Sequence, residues 1–290
     1  MRAKKNKDIV MNKRSPRRVF SEVLVTLVMT VFVLIILYPF MVMLLVSLKD
    51  TKEALISPNS IPDKLMWENY LKAWKSMNYP KVFANTVYIT VTSLAGIILF
   101  SGICSYVIAW SRHKKFYNGV YLLFICGIMI PFYTALVPLT KLMTNLHLNN
   151  SLTGMILFYI GRNMPMAVFL YTGFIRSVSV EILEAGRVDG AGVWKLYWRI
   201  MFPIMKPITS TILVLDALGI WNDYLFPKIM LIGKDLRTIT LAQAYFKGEN
   251  SGMMNLTFAA YILTIIPVIL FYFAFQKNIV EGVAAGAVKG

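Results

Sequence analysis

The sequence predicts an all-α integral membrane protein with six transmembrane helices. Three observations carry that prediction. The chain is 57% hydrophobic and 15% charged, whereas soluble globular chains average about 45–50% apolar and about 25% charged. Its mean hydropathy is +0.62. Six apolar runs qualify, or nearly qualify, for the roughly 20 residues that a helix needs to cross a hydrocarbon layer about 30 Å thick. These runs are continuous and not alternating, which selects helices over a barrel.

The formal charge of +16 over 290 residues does not point to a soluble nucleic-acid binder, which would carry its positive charge on a polar surface. Taken in order, residues 1–19 form a basic tail. Residues 20–48 form the first span. It is longer than the roughly 7–15 residues of a secretory signal core, and no small-residue cleavage site follows it, so it reads as retained. Residues 49–82 form an outer loop. Residues 83–276 hold five further spans at 83–110, 118–142, 152–175, 208–225 and 256–276. The fourth carries Gly161, Arg162, Asn163 and Pro165 at its middle, which predicts a broken or unwound helix. The fifth is short and carries Asp216. Residues 277–290 form the last tail.

Basic residues set the orientation, because Lys and Arg concentrate on the cytoplasmic side. With both termini inside, the inner segments hold 18 of the 30 Lys/Arg and the outer ones 11. Arg14, Arg17 and Arg18 before the first span, and Arg112, Lys114 and Lys115 after the second, contribute most to the bias.

The inner loop 177–207 is unusually long and has internal order. Ser179 can cap a helix whose first turn holds Glu181, where a carboxylate suits the helix dipole. Asp189-Gly190 is a turn dipeptide. A second helix runs from about 193 to 201, with Pro203 and Pro207 expected to stop it. Ile182, Leu183 and Ala185 give the first helix an apolar side, and Trp194, Tyr197 and Trp198 give one to the second.

Little else suggests chemistry. Cys104 and Cys126 sit in apolar runs, and His113 and His147 are the only histidines. There is no Gly-rich phosphate loop ending in Lys-Ser/Thr and no acidic metal cluster. Polar groups at membrane depth are functional candidates by default. Here they are Arg162, Asn163 and Asp216, with Asn222 near the outer end of the fifth span; Tyr159, Tyr171, Trp221 and Tyr224 could supply aromatic faces. The plainer alternative is that Arg162 and Asp216 stabilise helix packing, against each other or against a partner.

Glu184-Ala185-Gly186, then Asp189-Gly190-Ala191-Gly192, and later Pro203, resemble the EAA loop of ABC-importer permease subunits. Gly186 stands where that family prefers Ala, and Val180 where it often has Pro. Further segments are similar in the same order: Ser57-Pro58, Ile61-Pro62, Glu68-Asn69-Tyr70 and Trp74; Phe83, Asn85 and Thr86; Trp221-Asn222-Asp223-Tyr224-Leu225-Phe226-Pro227; Thr238, Thr240 and Leu241; and a C-terminus like that of the maltose-type, binding-protein-dependent carbohydrate branch.

The resemblance implies a type I ABC importer permease fold and a role in moving a sugar or oligosaccharide. Another solute, or secondary transport, is the alternative. It implies no enzymatic activity and no cofactor on this chain, with ATP and Mg held by partner subunits. It implies a bacterial cytoplasmic membrane, a homologous permease as heterodimer partner, a cytoplasmic ATPase dimer and an extracytoplasmic sugar-binding protein. The ATPase contact would be Glu181, Glu184, Ala185, Gly186, Asp189, Gly190, Ala191 and Gly192. A second contact would be a slim, flexible tail with Gln276, Lys277, Glu281, Gly282 and Gly286.

Overall fold

A computed structural model describes residues 16–287, with side chains from 20 to 276. The described residues form helices and no strands. Helix α1 (Pro16–Ser47) is followed by two short helices, α2 (Thr51–Ile56) and α3 (Glu68–Ser76). Then come α4 (Tyr79–Trp110), α5 (Lys114–Met129), α6 (Phe132–Asn145) and α7 (Leu152–Arg176). The hairpin predicted in 177–207 is α8 (Val180–Val188), α9 (Val193–Leu196), a π turn (Tyr197–Met201) and α10 (Phe202–Ile204). The chain ends with α11 (Lys206–Trp221), α12 (Leu225–Met230), α13 (Ile239–Glu249) and α14 (Met254–Ala287).

Among the described residues, three helical stretches are long and apolar enough to cross a bilayer: Phe20–Ser47, Tyr79–Trp110 and Met254–Gln276. The other expected spans are bent pairs, and each departure from expectation has a local cause. The third, expected as one run, turns through 105° between α5 and α6. Pro131 lacks an amide donor and holds Ile130 in extended backbone (ψ 115), as a residue before proline prefers.

The fourth run was expected to break near Pro165, yet α7 runs unbroken through it. The proline removes one hydrogen bond. Burial on both sides of it, by Met155 and Tyr159 before and Ala167, Val168 and Tyr171 after, outweighs that loss. The bend of 77° comes later, between α7 and α8.

Pro203 does not stop the hairpin's second helix. The chain there widens to a π turn, with the Phe202 N–H on the Tyr197 carbonyl, a geometry that tolerates a missing donor. The 71° bend falls at Met205, between α10 and α11, and Pro207 lies in the first turn of α11. The fifth run ends at Trp221, four residues earlier than expected, and Leu225 starts α12. The outer segments 49–82 and 227–255 are largely helical, where the sequence suggested loops. The basic residues 1–15 lie outside the described residues. Helix α14 continues to Ala287, so Gly282 and Gly286 extend a helix in place of the expected flexible tail.

The main core joins α4 and α7. Ser93, Ile97, Ser101 and Ser105 lie four residues apart on one face of α4 and are fully buried. Small residues let membrane helices approach closely. A Cβ on Gly96 would stand 2.4 Å from Ile160 Cδ1, and the Ser105 hydroxyl donates to the Val168 carbonyl at 3.2 Å. A second core packs Ala73, Tyr79 and Val82 against Ile239, Phe246, Ala259 and Ala260.

Pro267 lies inside α14 and leaves the Leu263 carbonyl without its helical donor. The Tyr79 hydroxyl supplies it, at 2.9 Å. Tyr79→Phe is therefore expected to lower stability by about 1–3 kcal/mol, read as a lower thermal unfolding midpoint in detergent. An unchanged midpoint would mean that the Leu263 carbonyl is satisfied without Tyr79.

Candidate functional site

Two regions concentrate the polar groups that the packing does not require. The first lies where α7 meets the turn after α11. Arg162 Nη1 stands 3.3 Å from Asp223 Oδ2, and the Tyr159 hydroxyl donates to the same oxygen at 3.1 Å. The Arg162 guanidinium also lies 4.3 Å above the Phe132 ring. The other carboxylate oxygen accepts from the amides of Leu225 and Phe226 at 3.0 and 3.4 Å. An aspartate that takes up the next free amides starts a turn in this way, and here it starts α12.

The Asp223 side chain is only 10% exposed and that of Arg162 is 39% exposed. The aspartate is thus a fixed anchor, and the arginine presents its free face to a groove of about 820 Å³. That groove is opened by the α5–α6 bend and lined by Pro131, Phe132, Leu139, Phe158 and Gly161.

The sequence suggested a pairing of Arg162 with Asp216. The partner is Asp223. Asp216 is half-buried in α11 and its Oδ2 has no hydrogen-bond partner. Asn163 is half-buried and makes no side-chain hydrogen bond among the described residues. Asn222 donates to the Leu218 carbonyl at 3.0 Å and is exposed. Trp221 packs edge-on to Phe83 at the end of a ladder that runs through Tyr79 to Trp74. Tyr224 lies under Lys228, whose Nζ is 5.2 Å from its ring. Tyr171 donates to Thr209 at 2.9 Å.

The second region is the inner hairpin. Ser179 caps α8 by accepting from the Glu181 amide at 3.3 Å, as its position suggested. Gly190 has φ +75, a conformation that glycine adopts without strain, and the Ala191 amide closes the turn on the Gly186 carbonyl at 3.0 Å. Gly186 is buried, and a Cβ there would meet Leu196 Cδ2 at 2.7 Å and Ile200 Cδ1 at 2.8 Å. This small residue lies against the ends of two flexible side chains where α8 seats on α9 and the π turn. Leu183 and Leu196 are buried beneath the hairpin. Glu181, Glu184, Ala185, Asp189, Gly190, Gly192 and Trp194 face outward.

Residues 97–284 match the family described as the inner membrane component of binding-protein-dependent transport systems. The chain belongs to this family. The melibiose/raffinose/stachyose import permease protein MelC of Bacillus subtilis (strain 168) is 36% identical over 253 residues, 87% of this chain and 91% of that protein. The multiple sugar-binding transport system permease protein MsmG of Streptococcus mutans serotype c is 36% identical over 266 residues, 90% of this chain and 95% of that protein. A solved bacterial ABC transporter involved in the import of the acidic polysaccharide alginate shares the fold, with a TM-score of 0.78 at 21% identity over 91% of this chain and 98% of that one. The fold is that of a type I ABC importer permease.

In this permease, short motifs far apart in sequence join one another. Asn69 donates to the carbonyls of Ser47 and Lys49, both at 2.8 Å, and Tyr70 bonds Ser47 at 2.7 Å. Asn255 of α14 donates to the same Lys49 carbonyl at 3.1 Å. Lys49 is fully buried and donates to the Ser57 carbonyl and to Ser60 Oγ. Asn85 donates to the carbonyls of Asp235 and Arg237 at 2.7 and 3.1 Å, and Thr86 accepts from the Ile239 amide at 2.9 Å. Thr240 donates to the Asp223 carbonyl at 2.8 Å.

These bonds set the C-terminal ends of α1 and α11 and the N-terminal ends of α4 and α14 in one frame. Sequence reasoning found the motifs but not their pairing. It also passed over Phe132 and treated Asp223 as secondary to Asn222. The signal available for Asp223 was an acid two residues before the first amide of a new helix. Among the described residues, no group of three or more His, Cys, Asp or Glu is placed to hold a metal ion.

Proposed function

We propose that this permease moves a sugar or oligosaccharide inward across a bacterial cytoplasmic membrane. It works beside a homologous permease, with an ATPase dimer inside and a sugar-binding protein outside. Each bent pair contributes one span, giving six, with α8 and the α9–α10 stretch outside the bilayer, and both termini lie in the cytoplasm. ATP and Mg belong to the ATPase subunits. The sugar-importing relatives, MelC and MsmG among them, support the substrate class. Arg162, with its guanidinium facing the groove beside Phe132 and Phe158, is the group in this chain best suited to hydroxyls and sugar faces.

The observation that carries the mechanism is the seated hairpin. At Gly186, α8 lies directly on Leu196 and Ile200, so force on the exposed Glu181–Gly192 edge is delivered through the π turn to α11. A compliant loop would absorb it. Closure of the ATPases on ATP pushes this edge and turns the pore outward, and hydrolysis resets it. The helix extension 277–287 provides the second contact, through Gln276 and the tail residues Lys277, Glu281, Gly282 and Gly286. The side chains of these four tail residues lie outside the described ones.

Glu184→Lys tests the coupling role. It reverses an exposed charge that no described residue pairs, so folding and membrane insertion should be kept. Sugar-stimulated ATP hydrolysis should fall about tenfold or more, because like-charge contacts across an interface cost several kcal/mol, and the ATPase subunits should co-purify less well. Unchanged stimulation would remove the hairpin from the mechanism. A screen of sugars for stimulation of ATP hydrolysis by the complete complex then names the substrate.

A further inference from the structure

A cluster of cations at the turn between α4 and α5 is not used by any part of this mechanism. Helix α4 ends at Trp110, and α5 starts only four residues later, at Lys114. This corner therefore lies at the end of a stretch long and apolar enough to cross the bilayer. Arg112, Lys114 and Lys115 are all exposed. None of the three has an ion pair or a side-chain hydrogen bond among the described residues. Lys114 and Lys115 occupy the first turn of α5, which contains no acidic residue. The helix dipole there adds to their charge and does not offset it.

Tertiary structure brings a fourth cation to the same corner. Arg176, in the last turn of α7, donates to Asn118 Oδ1 at 3.0 Å and lies 4.9 Å above the Tyr121 ring. Lys114, Asn118 and Tyr121 are spaced i, i+4, i+7, so they share one face of α5. Both groups holding Arg176 are neutral. They orient its charge without cancelling it. Phe116 stands beside the cluster, 67% exposed and edge-on to Tyr117 at 5.1 Å.

We propose that this corner is a binding site for the headgroup of an anionic phospholipid. The phosphate would sit among Arg112, Lys114, Lys115 and Arg176, and Phe116 would enter the interfacial layer. Three features favour lipid over an acidic protein surface. The cations are uncompensated, they lie at the end of a membrane-length helix, and they flank an exposed aromatic ring of the kind that settles at headgroup depth. Each cation near an anionic lipid surface is worth about a fivefold change in affinity, or about 1 kcal/mol.

The test uses the full chain in the complex with which it purifies, reconstituted in nanodiscs of phosphatidylcholine with a graded fraction of phosphatidylglycerol. Lipids retained after gentle extraction are counted by native mass spectrometry. Lys114→Gln/Lys115→Gln alters exposed, unbonded side chains and should leave folding intact. It should lower phosphatidylglycerol retention about fivefold for each charge removed. Arg176→Gln should add a further loss. Raising salt from ~0.1 to ~1 M should release the lipid from the unmodified protein, because the screening length falls from about 10 to about 3 Å. Lys52→Gln/Lys64→Gln in the outer segment serves as the charge-matched control and should change nothing. Equal retention in Lys114→Gln/Lys115→Gln and unmodified protein would overturn the proposal. So would loss of the ATPase subunits with lipid retention unchanged, which would make this corner a protein contact.

Discussion

Asp223→Ala is expected to destabilise the protein by about 2–4 kcal/mol and to abolish most transport. This carboxylate holds four donors at once. Arg162 loses its counter-ion at 3.3 Å, the buried Tyr159 hydroxyl loses its acceptor at 3.1 Å, and the amides of Leu225 and Phe226 lose the oxygen that starts α12. A buried donor left without a partner costs about 1–3 kcal/mol. Removing one member of a buried ion pair costs more, although the partial exposure of Arg162 reduces that part. Asp223→Asn keeps the shape and one acceptor oxygen, so it should fall between alanine and the unmodified protein. The measurement is the thermal unfolding midpoint of the purified complex, with uptake in proteoliposomes alongside. Equal midpoints for the aspartate and alanine forms would show that the turn after α11 is held by other means.

Gly154→Ala is the second large effect, expected at about 3 kcal/mol, the upper end for overpacking. A Cβ at this position would lie 1.9 Å from the Leu148 carbonyl oxygen and 2.9 Å from its carbon. Both are backbone atoms, so no side chain can rotate away. The loop carrying Leu148 cannot retreat freely either. Asn150 ties it to the end of α12, accepting from the amides of Ile232 and Gly233 at 3.0 Å and donating its own amide to the Met230 carbonyl at 2.8 Å. Gly186→Ala provides the contrast. Its close contacts are the far ends of Leu196 and Ile200, which can shift, so alanine should be tolerated there. Comparing the two unfolding midpoints checks the argument, and a Gly154→Ala midpoint equal to that of Gly186→Ala would refute it.

The resemblance to permeases was legible because it rests on short local patterns. The EAA-like loop, the Asn85-Thr86 pair and the Trp221-Asn222-Asp223 run each lie within a few residues. What joins them was not legible. Asn85 meets the Asp235 carbonyl across 150 residues, and Ile239 meets Thr86 across 153. No periodicity or spacing encodes such a pairing, because it depends on which helix ends lie side by side.

By itself the sequence determined where the apolar stretches lie, where α8 is capped, and that the hairpin turns at Gly190. These follow from short-range physics: transfer of apolar residues to the bilayer, an oxygen accepting the first free amide, and a backbone angle that glycine adopts without strain. Local sequence accounts for the turn at Pro131, whereas tertiary structure decided what the prolines inside helices do. Every proline removes one donor. At Pro131 the chain turns through 105°. At Pro165 burial along both sides of α7 keeps the helix continuous, and at Pro267 the Tyr79 hydroxyl replaces the missing donor at the Leu263 carbonyl. The same holds for Arg162. Its charge was visible in the sequence, but its partner was fixed only when α7 packed against the turn that carries Asp223.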